Sequence, residues 1–135
     1  GTQGVGIVNL LLDTCTFLWL AQQPDKISVT ASKLIDNTDN ELHLSQVSVL
    51  EIVMKHSAGK LPLPDAPRKW ISSKLRYHQV VDFPLTKEVM FHSGELPRVH
   101  ADPFDRLLAA HAIIEGFTLL SPDKPFSNLG ASRIW

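Results

Sequence analysis

The chain alternates between short apolar runs and longer segments in which apolar residues recur every three or four positions. The run IVNLLLD at 7–13 is continuously apolar and rich in branched side chains, the pattern of a strand buried on both faces of a parallel sheet. Thr14 to Gln22 carries helical spacing, and SVTASKLIDN at 28–37 predicts a second helix before the alternating ELHLSQ at 41–46 gives a second strand. Ser48 reads as the N-cap of VLEIVMKHSA, with Glu51 three residues on as in a capping box and Gly59 as the stop. The stretch LPLPDAP at 61–67 is a bend between helices, too short to separate domains. From Pro67, PRKWISSKLRYH predicts a helix with proline in its first turn, followed by a strand at QVVDF and a helix from Thr86 to Leu96. A further helix from Pro103 to Glu115 closes at Gly116, FTLLS makes the next strand, and SRIW adds a short last one. Strands alternating with helices over residues 1–135 predict one α/β domain with a central, mostly parallel sheet of four or five strands and helices on both faces.

Composition narrows this further. Hydrophobic residues make up 44% and charged residues 20%, as in globular chains that bury a core without metal or disulfide staples. The single Cys15 cannot pair within the chain, which points to a reducing cytoplasm and to a small apolar role for the thiol. No leader pattern opens the chain and no apolar run reaches the length of a membrane span, so no membrane role is expected. The first few residues, which lack an initiating Met, carry no functional weight.

A net charge of −1 does not announce a nucleic-acid binder, but its distribution is uneven. Lys55, Lys60, Arg68, Lys69, Lys74 and Arg76 face only Asp65 between positions 55 and 76. They are either the solvated faces of two helices or a surface for phosphates.

Ligands in folds of this class gather beyond the C-terminal ends of the strands. Asp13 ends the first strand, Glu51 and Asp105 are expected in the first turns of their helices, and Asp123 follows FTLLS, so all four acids share that end of the sheet. Taken singly, Glu51 and Asp105 could complement helix dipoles, Asp123 could be a turn residue, and Asp102 before Pro103 is a good N-cap. Asp13 is harder to explain structurally, because an acid leaving a buried strand needs a partner or a polar cleft. Four converging carboxylates repel unless cations neutralise them, and Mg²⁺ suits a site of a few oxygens completed by water and phosphate. The chemistry of such a site is metal-assisted hydrolysis of a phosphodiester.

On the stretches LLLDTCTFLWL, SQVSVLEIVMKHSAGKL, HADPFDRLLAAHAIIEG and FTLLSPDKPFS, the chain resembles the PIN-domain ribonucleases and, within them, the VapC-type toxins of bacterial toxin–antitoxin pairs. The resemblance implies a PIN-like three-layer sandwich and Mg²⁺- or Mn²⁺-dependent cleavage of RNA, with Asp13, Glu51, Asp105 and Asp123 as the acids. It places Thr14 and Ser121 where hydroxyl groups support the metal site, assigns Asp102 to the subgroup's DPFDR pattern, and departs at Pro122, where a polar residue is commoner. It also implies a homodimer inhibited by a small cognate antitoxin that lies across the groove. Phe17, Leu18, Trp19 and Trp70 are either contact area for such a partner or core. His100 and His111 either face the site or pack, and Arg106 is a candidate for a phosphate contact or for a salt bridge to a neighbouring acid.

Two other readings follow from the same residues. A catalytically inactive module could retain the fold as a scaffold, but clustered carboxylates serve no purpose there. A receiver or aspartate-nucleophile phosphatase also places acids at strand ends, yet DTCT lacks the second aspartate that such a phosphatase requires.

Overall fold

A computed structural model describes residues 8–135. In chain order the elements are β1 (Asn9–Leu12), α1 (Thr14–Gln22), α2 (Val29–Asp36), β2 (Glu41–Ser45), α3 (Gln46–Ser57), α4 (Pro67–Tyr77), β3 (Val80–Phe83), α5 (Lys87–Glu95), α6 (Pro103–Glu115), β4 (Thr118–Leu120), α7 (Pro125–Asn128) and β5 (Arg133–Ile134). The expected start of the first strand at Ile7 lies outside the described residues. The four-residue α7 and a 3₁₀ turn at Pro24–Lys26 are additions to the elements expected from periodicity.

The five strands form one parallel sheet in the order β3-β2-β1-β4-β5. Period-two alternation within the apolar run divides β1 between two cores. Leu10 and Leu12 join Leu42, Leu44, Leu120, Phe17, Ile52 and Trp70 on one face, while Leu11 joins Leu119, Leu108, Ala109, Ala110 and Phe126 on the other. Leu10, Leu11 and Leu12 are fully buried, as expected of a central strand covered by helices on both sides.

The order of the strands sets where a ligand can sit. The chain winds outward from β1 through β2 to β3, then returns to lay β4 against the opposite edge of β1. The connections leaving β1 and β4 therefore diverge, and a crevice opens between the C-terminal ends of these two strands, the usual ligand position in open parallel sheets. Asp13 leaves β1 at this point and Ser121 leaves β4 beside it. The seam is closed by the Asp13 N–H and the Thr16 hydroxyl, which both donate to the Leu120 carbonyl, at 3.2 and 3.0 Å.

Local signals explain the helix ends, with one correction. Asp102 caps α6 by accepting from the N–H groups of Phe104 and Asp105, Pro103 occupies the first turn, and Gly116 ends the helix at φ 71°, the left-handed conformation that glycine adopts without strain. The second strand, however, passes into α3 without a loop, and the cap is Ser45, whose Oγ accepts from the Val47 N–H at 3.1 Å. Ser48 lies buried inside the first turn, so Glu51 is one turn further along than a capping box requires. Among the described residues, no helix is long and apolar enough to cross a membrane.

Candidate active site

The four acids expected at one end of the sheet line one cleft of about 310 Å³, together with Thr14, Cys15, Leu18, Trp19, Lys55, Asp102 and Leu108. Five carboxylates therefore face a single ammonium in the cleft lining. Each is positioned differently.

Asp13 is 3% exposed and caps α1. Its Oδ1 accepts the Thr16 N–H at 2.7 Å and its Oδ2 accepts the Ser121 hydroxyl at 2.5 Å. Burial pushes the Asp13 carboxyl up to about 6, against those donors, and the Asp123 charge adds to the rise. Glu51, on α3, is also buried, and its two oxygens are divided between partners. The Thr14 hydroxyl reaches Oε1 at 2.6 Å and the Lys55 ammonium reaches Oε2 at 2.7 Å. Thr14 Oγ1 also lies 2.9 Å from Ser48 Oγ, so with its one proton given to Glu51, Thr14 accepts from Ser48. The Glu51 hydrogen bond raises the Lys55 pKa and keeps the ammonium charged, with the charges of Asp102 and Asp105 acting in the same sense.

Asp105, one turn into α6, accepts from His100 Nε2 at 2.7 Å through Oδ2. Burial raises its pKa, the His100 hydrogen bond lowers it, and the charges of Asp102 and Glu51 raise it further. Asp123 is exposed at the rim, with its backbone N–H on Ser121 Oγ at 3.0 Å. Ser121 thus bridges the two acids that leave β1 and β4. Cys15 also faces the cleft, but burial and then the negative charges of Asp13 and Asp123 push its thiol up to about 12, so it is protonated and a poor nucleophile.

These donors can be tested against the cation that their charge demands. The lining offers carboxylate and hydroxyl oxygens, the ligands of hard divalent cations. Among the described residues, no three Asp, Glu, His or Cys side chains are grouped tightly enough to enclose an ion by themselves.

A model of the PIN domain matches residues 10–131. The chain belongs to the PIN-domain family. It is 27% identical over 119 residues to Ribonuclease VapC22 of Mycobacterium tuberculosis, covering 87% of this chain and 89% of that one. Among solved structures it is similar to VapBC2 from Rickettsia felis bound to a promoter DNA fragment (TM-score 0.70, 19% identity, 95% of this chain and 99% of that one). It is also similar to VapBC-1 from nontypeable Haemophilus influenzae (TM-score 0.62, 18% identity, 94% and 97%) and to FitAcB from Neisseria gonorrhoeae (TM-score 0.61, 17% identity, 93% and 96%). The three-layer parallel-sheet architecture expected from the sequence is the architecture of these PIN domains.

The remaining candidate residues of this PIN domain divide. Phe17 and Trp70 are core, their rings edge to face at 6.1 Å, whereas Leu18 and Trp19 are half-buried and line the cleft. His111 packs: it is fully buried with Nδ1 2.8 Å from Ser45 Oγ, and burial followed by the nearby His43 pushes it down to about 4. Arg106 does not line the cleft, and among the described residues it makes no salt bridge. Its guanidinium donates to four backbone carbonyls, those of Ser93, Leu96, Pro97 and His100, at 2.8–3.0 Å.

Of the six basic residues considered for phosphate contact, Lys55 lines the cleft and the other five do not. Lys60, Arg68, Lys69 and Arg76 are exposed, Lys74 is half-buried with its ammonium 5.8 Å from the Tyr77 ring, and Lys69 pairs with Asp65 at 3.4 Å. The partnership of Lys55 with Glu51 was missed by counting the lysine with a basic patch. The signal was present in their i,i+4 spacing, which puts both on one helix face.

Proposed function

We propose that this PIN domain is a Mg²⁺- or Mn²⁺-dependent endoribonuclease and the toxin of a toxin–antitoxin pair. One observation carries the reading: carboxylates from positions 13, 51, 105 and 123 line a single cleft at the switch point of the sheet with one ammonium among them. Similarity to a protein named Ribonuclease VapC22 supports RNA as the substrate, and similarity to VapBC and FitAB assemblies supports an antitoxin partner. A homodimer and a cytoplasmic location belong to the same reading.

Asp13, Glu51 and Asp105 would hold the ion, with Asp123 at the rim closing the shell. When bound, the ion supplies activation of water for attack on a phosphodiester and offsets charge on the phosphate and the departing oxygen. The protein's own groups prepare this. Ser121 and the Thr16 N–H fix the two oxygens of Asp13, Thr14 fixes one oxygen of Glu51, and Lys55 places a positive charge at the wall where a phosphate would lie. Burial of Asp13 and Glu51 lowers the local dielectric response, so their attraction for a cation exceeds that of surface carboxylates.

Asp105→Asn and Asp13→Asn are each expected to lower kcat for RNA cleavage by more than about 100-fold, with the fold intact by circular dichroism. Purified protein free of antitoxin that cleaves no RNA with either metal, or variants that inhibit growth as wild type does, would sink the nuclease reading. The scaffold alternative predicts that antitoxin binding persists without any cleavage.

A further inference from the structure

Asp105 and Arg106 are consecutive on α6, yet one contributes to the acidic cleft and the other turns its charge towards the end of α5. The guanidinium takes the carbonyls of Ser93 and Leu96 with Nη2 and those of Pro97 and His100 with Nη1. Ser93 and Leu96 belong to the last turn and C-cap of α5, whose carbonyls lack helical partners and carry the negative end of the helix dipole. Pro97 and His100 continue into a segment without regular structure that leads to α6. One arginine therefore ties the end of a helix and the following loop to a single point.

The loop is tied a second time. The His100 carbonyl lies 3.0 Å from Arg106, and the His100 imidazole lies 2.7 Å from Asp105 Oδ2. A carboxylate acceptor requires that Nε2 carry the proton and donate. His100 is thus held through its backbone by one residue of α6 while its side chain holds the preceding residue. His100 occupies one lone pair of Oδ2 and so fixes the direction in which the carboxylate presents its remaining lone pairs to a cation.

We propose that His100 and Arg106 are positioning residues for Asp105: Arg106 fixes the loop, the loop fixes the His100 ring, and the ring fixes the carboxylate in the rotamer that a cation meets. This deepens the metal-dependent reading above and rests on it. Partners of this kind, which orient a ligating carboxylate, typically change metal affinity by about 10–100-fold when removed.

Two measurements on the intact protein test it. In the metal-free state, ¹⁵N NMR of the imidazole should show a single His100 tautomer protonated at Nε2, with that proton slow to exchange, and the signature should be lost in Arg106→Lys. Binding isotherms for Mn²⁺ should then weaken by about 10–100-fold in His100→Ala and recover most of that loss in His100→Gln, whose amide can donate to the same oxygen. Arg106→Lys should weaken Mn²⁺ binding in the wild-type background but add nothing in His100→Ala, because both act through one hydrogen bond. A purely structural arginine would instead lower stability and leave the affinity cycle additive. Wild-type Mn²⁺ affinity in His100→Ala, alongside weakened affinity in Asp105→Asn, would overturn the positioning role alone. Absence of Mn²⁺ binding by wild type would overturn the metal-dependent function and this proposal with it, and a His100 ring free to average would overturn the proposal whatever the metal does.

Discussion

Asp13 carries an electrostatic cost that no side-chain cation among the described residues offsets directly: its partners are an amide N–H and a hydroxyl. Because burial raises its pKa from 3.8 to about 6, the folded state binds its proton more tightly than the unfolded chain does, and the fold loses stability as pH rises through that window. Asn at this position keeps an acceptor for Thr16 and an amide for Ser121 without the charge. Asp13→Asn should therefore raise metal-free stability at pH 7.5 by about 1–3 kcal/mol while removing activity, as read by urea denaturation in chelator. A variant less stable than wild type would show that the carboxylate's hydrogen bonds outweigh its desolvation. His111 behaves oppositely. Its pKa is lowered, to about 4, so the unfolded chain takes the proton first and stability falls as pH drops from about 6.5 towards 4. The ring lies against Phe83 and Ser45 with His43 nearby, itself bonded to Glu41. Between pH 7.5 and 5 this one group should cost about 2 kcal/mol, and His111→Gln should flatten that part of the stability profile. That the four acids share one cleft was legible in the sequence, because Asp13 leaves a buried strand and the other three were expected at the same end of the sheet. The histidines were not, because an imidazole is equally at home in a cleft and in a core.

At the scale of elements, Ser45 does the work of a loop. It ends β2, caps α3 through the Val47 N–H, and reaches His111 on α6 from the same oxygen. Ser45→Ala removes a cap and leaves a buried ring nitrogen without its partner, a combined loss of about 2–3 kcal/mol, read as a lowered midpoint in urea with an unchanged slope. Ser45→Thr should recover most of the loss. This junction explains why Ser48 looked like the cap. A capping-box pattern is read over four residues, and SVLE satisfies it, but the strand runs directly into the helix three residues earlier. The strands themselves were read well, because the buried part of β1, Leu10 to Leu12, is apolar and β2 alternates. That alternation conceals a second core face: His43 and Ser45 are polar, buried, and part of an aromatic and histidine cluster in which His43 stacks on Phe117 at 4.4 Å. Hydrophobic periodicity does not mark polar residues that pack. Nor could it reveal Arg106, whose four acceptors are backbone carbonyls contributed by a different helix and its loop.

Across the whole molecule, the five basic residues outside the cleft and the five acids within it define separate regions. If RNA spans from α4 to the cleft, neutralising Lys69, Lys74 and Arg76 together should weaken binding and make the dependence on log salt shallower by about 0.7 for each phosphate that no longer meets a cation. Lys69 should contribute least, since Asp65 already pairs with it. An unchanged slope would return these residues to the role of a solvated helix face. The sheet order was outside the reach of sequence patterns, because parallel strands joined by helices leave no local mark of which strand returns to which edge. Yet that order decides when the cleft can form. The cleft unites position 13 with positions 121 and 123 through β4, so the hydroxyl that bridges Asp13 and Asp123 comes from the last fifth of the chain. A chain emerging from the ribosome has already made Asp13, Glu51 and Asp105, but it has no cleft until β4 docks against β1. The cleft is therefore assembled only after β4 has been made and packed, and a chain truncated before Thr118 lacks the whole Ser121 and Asp123 side of it.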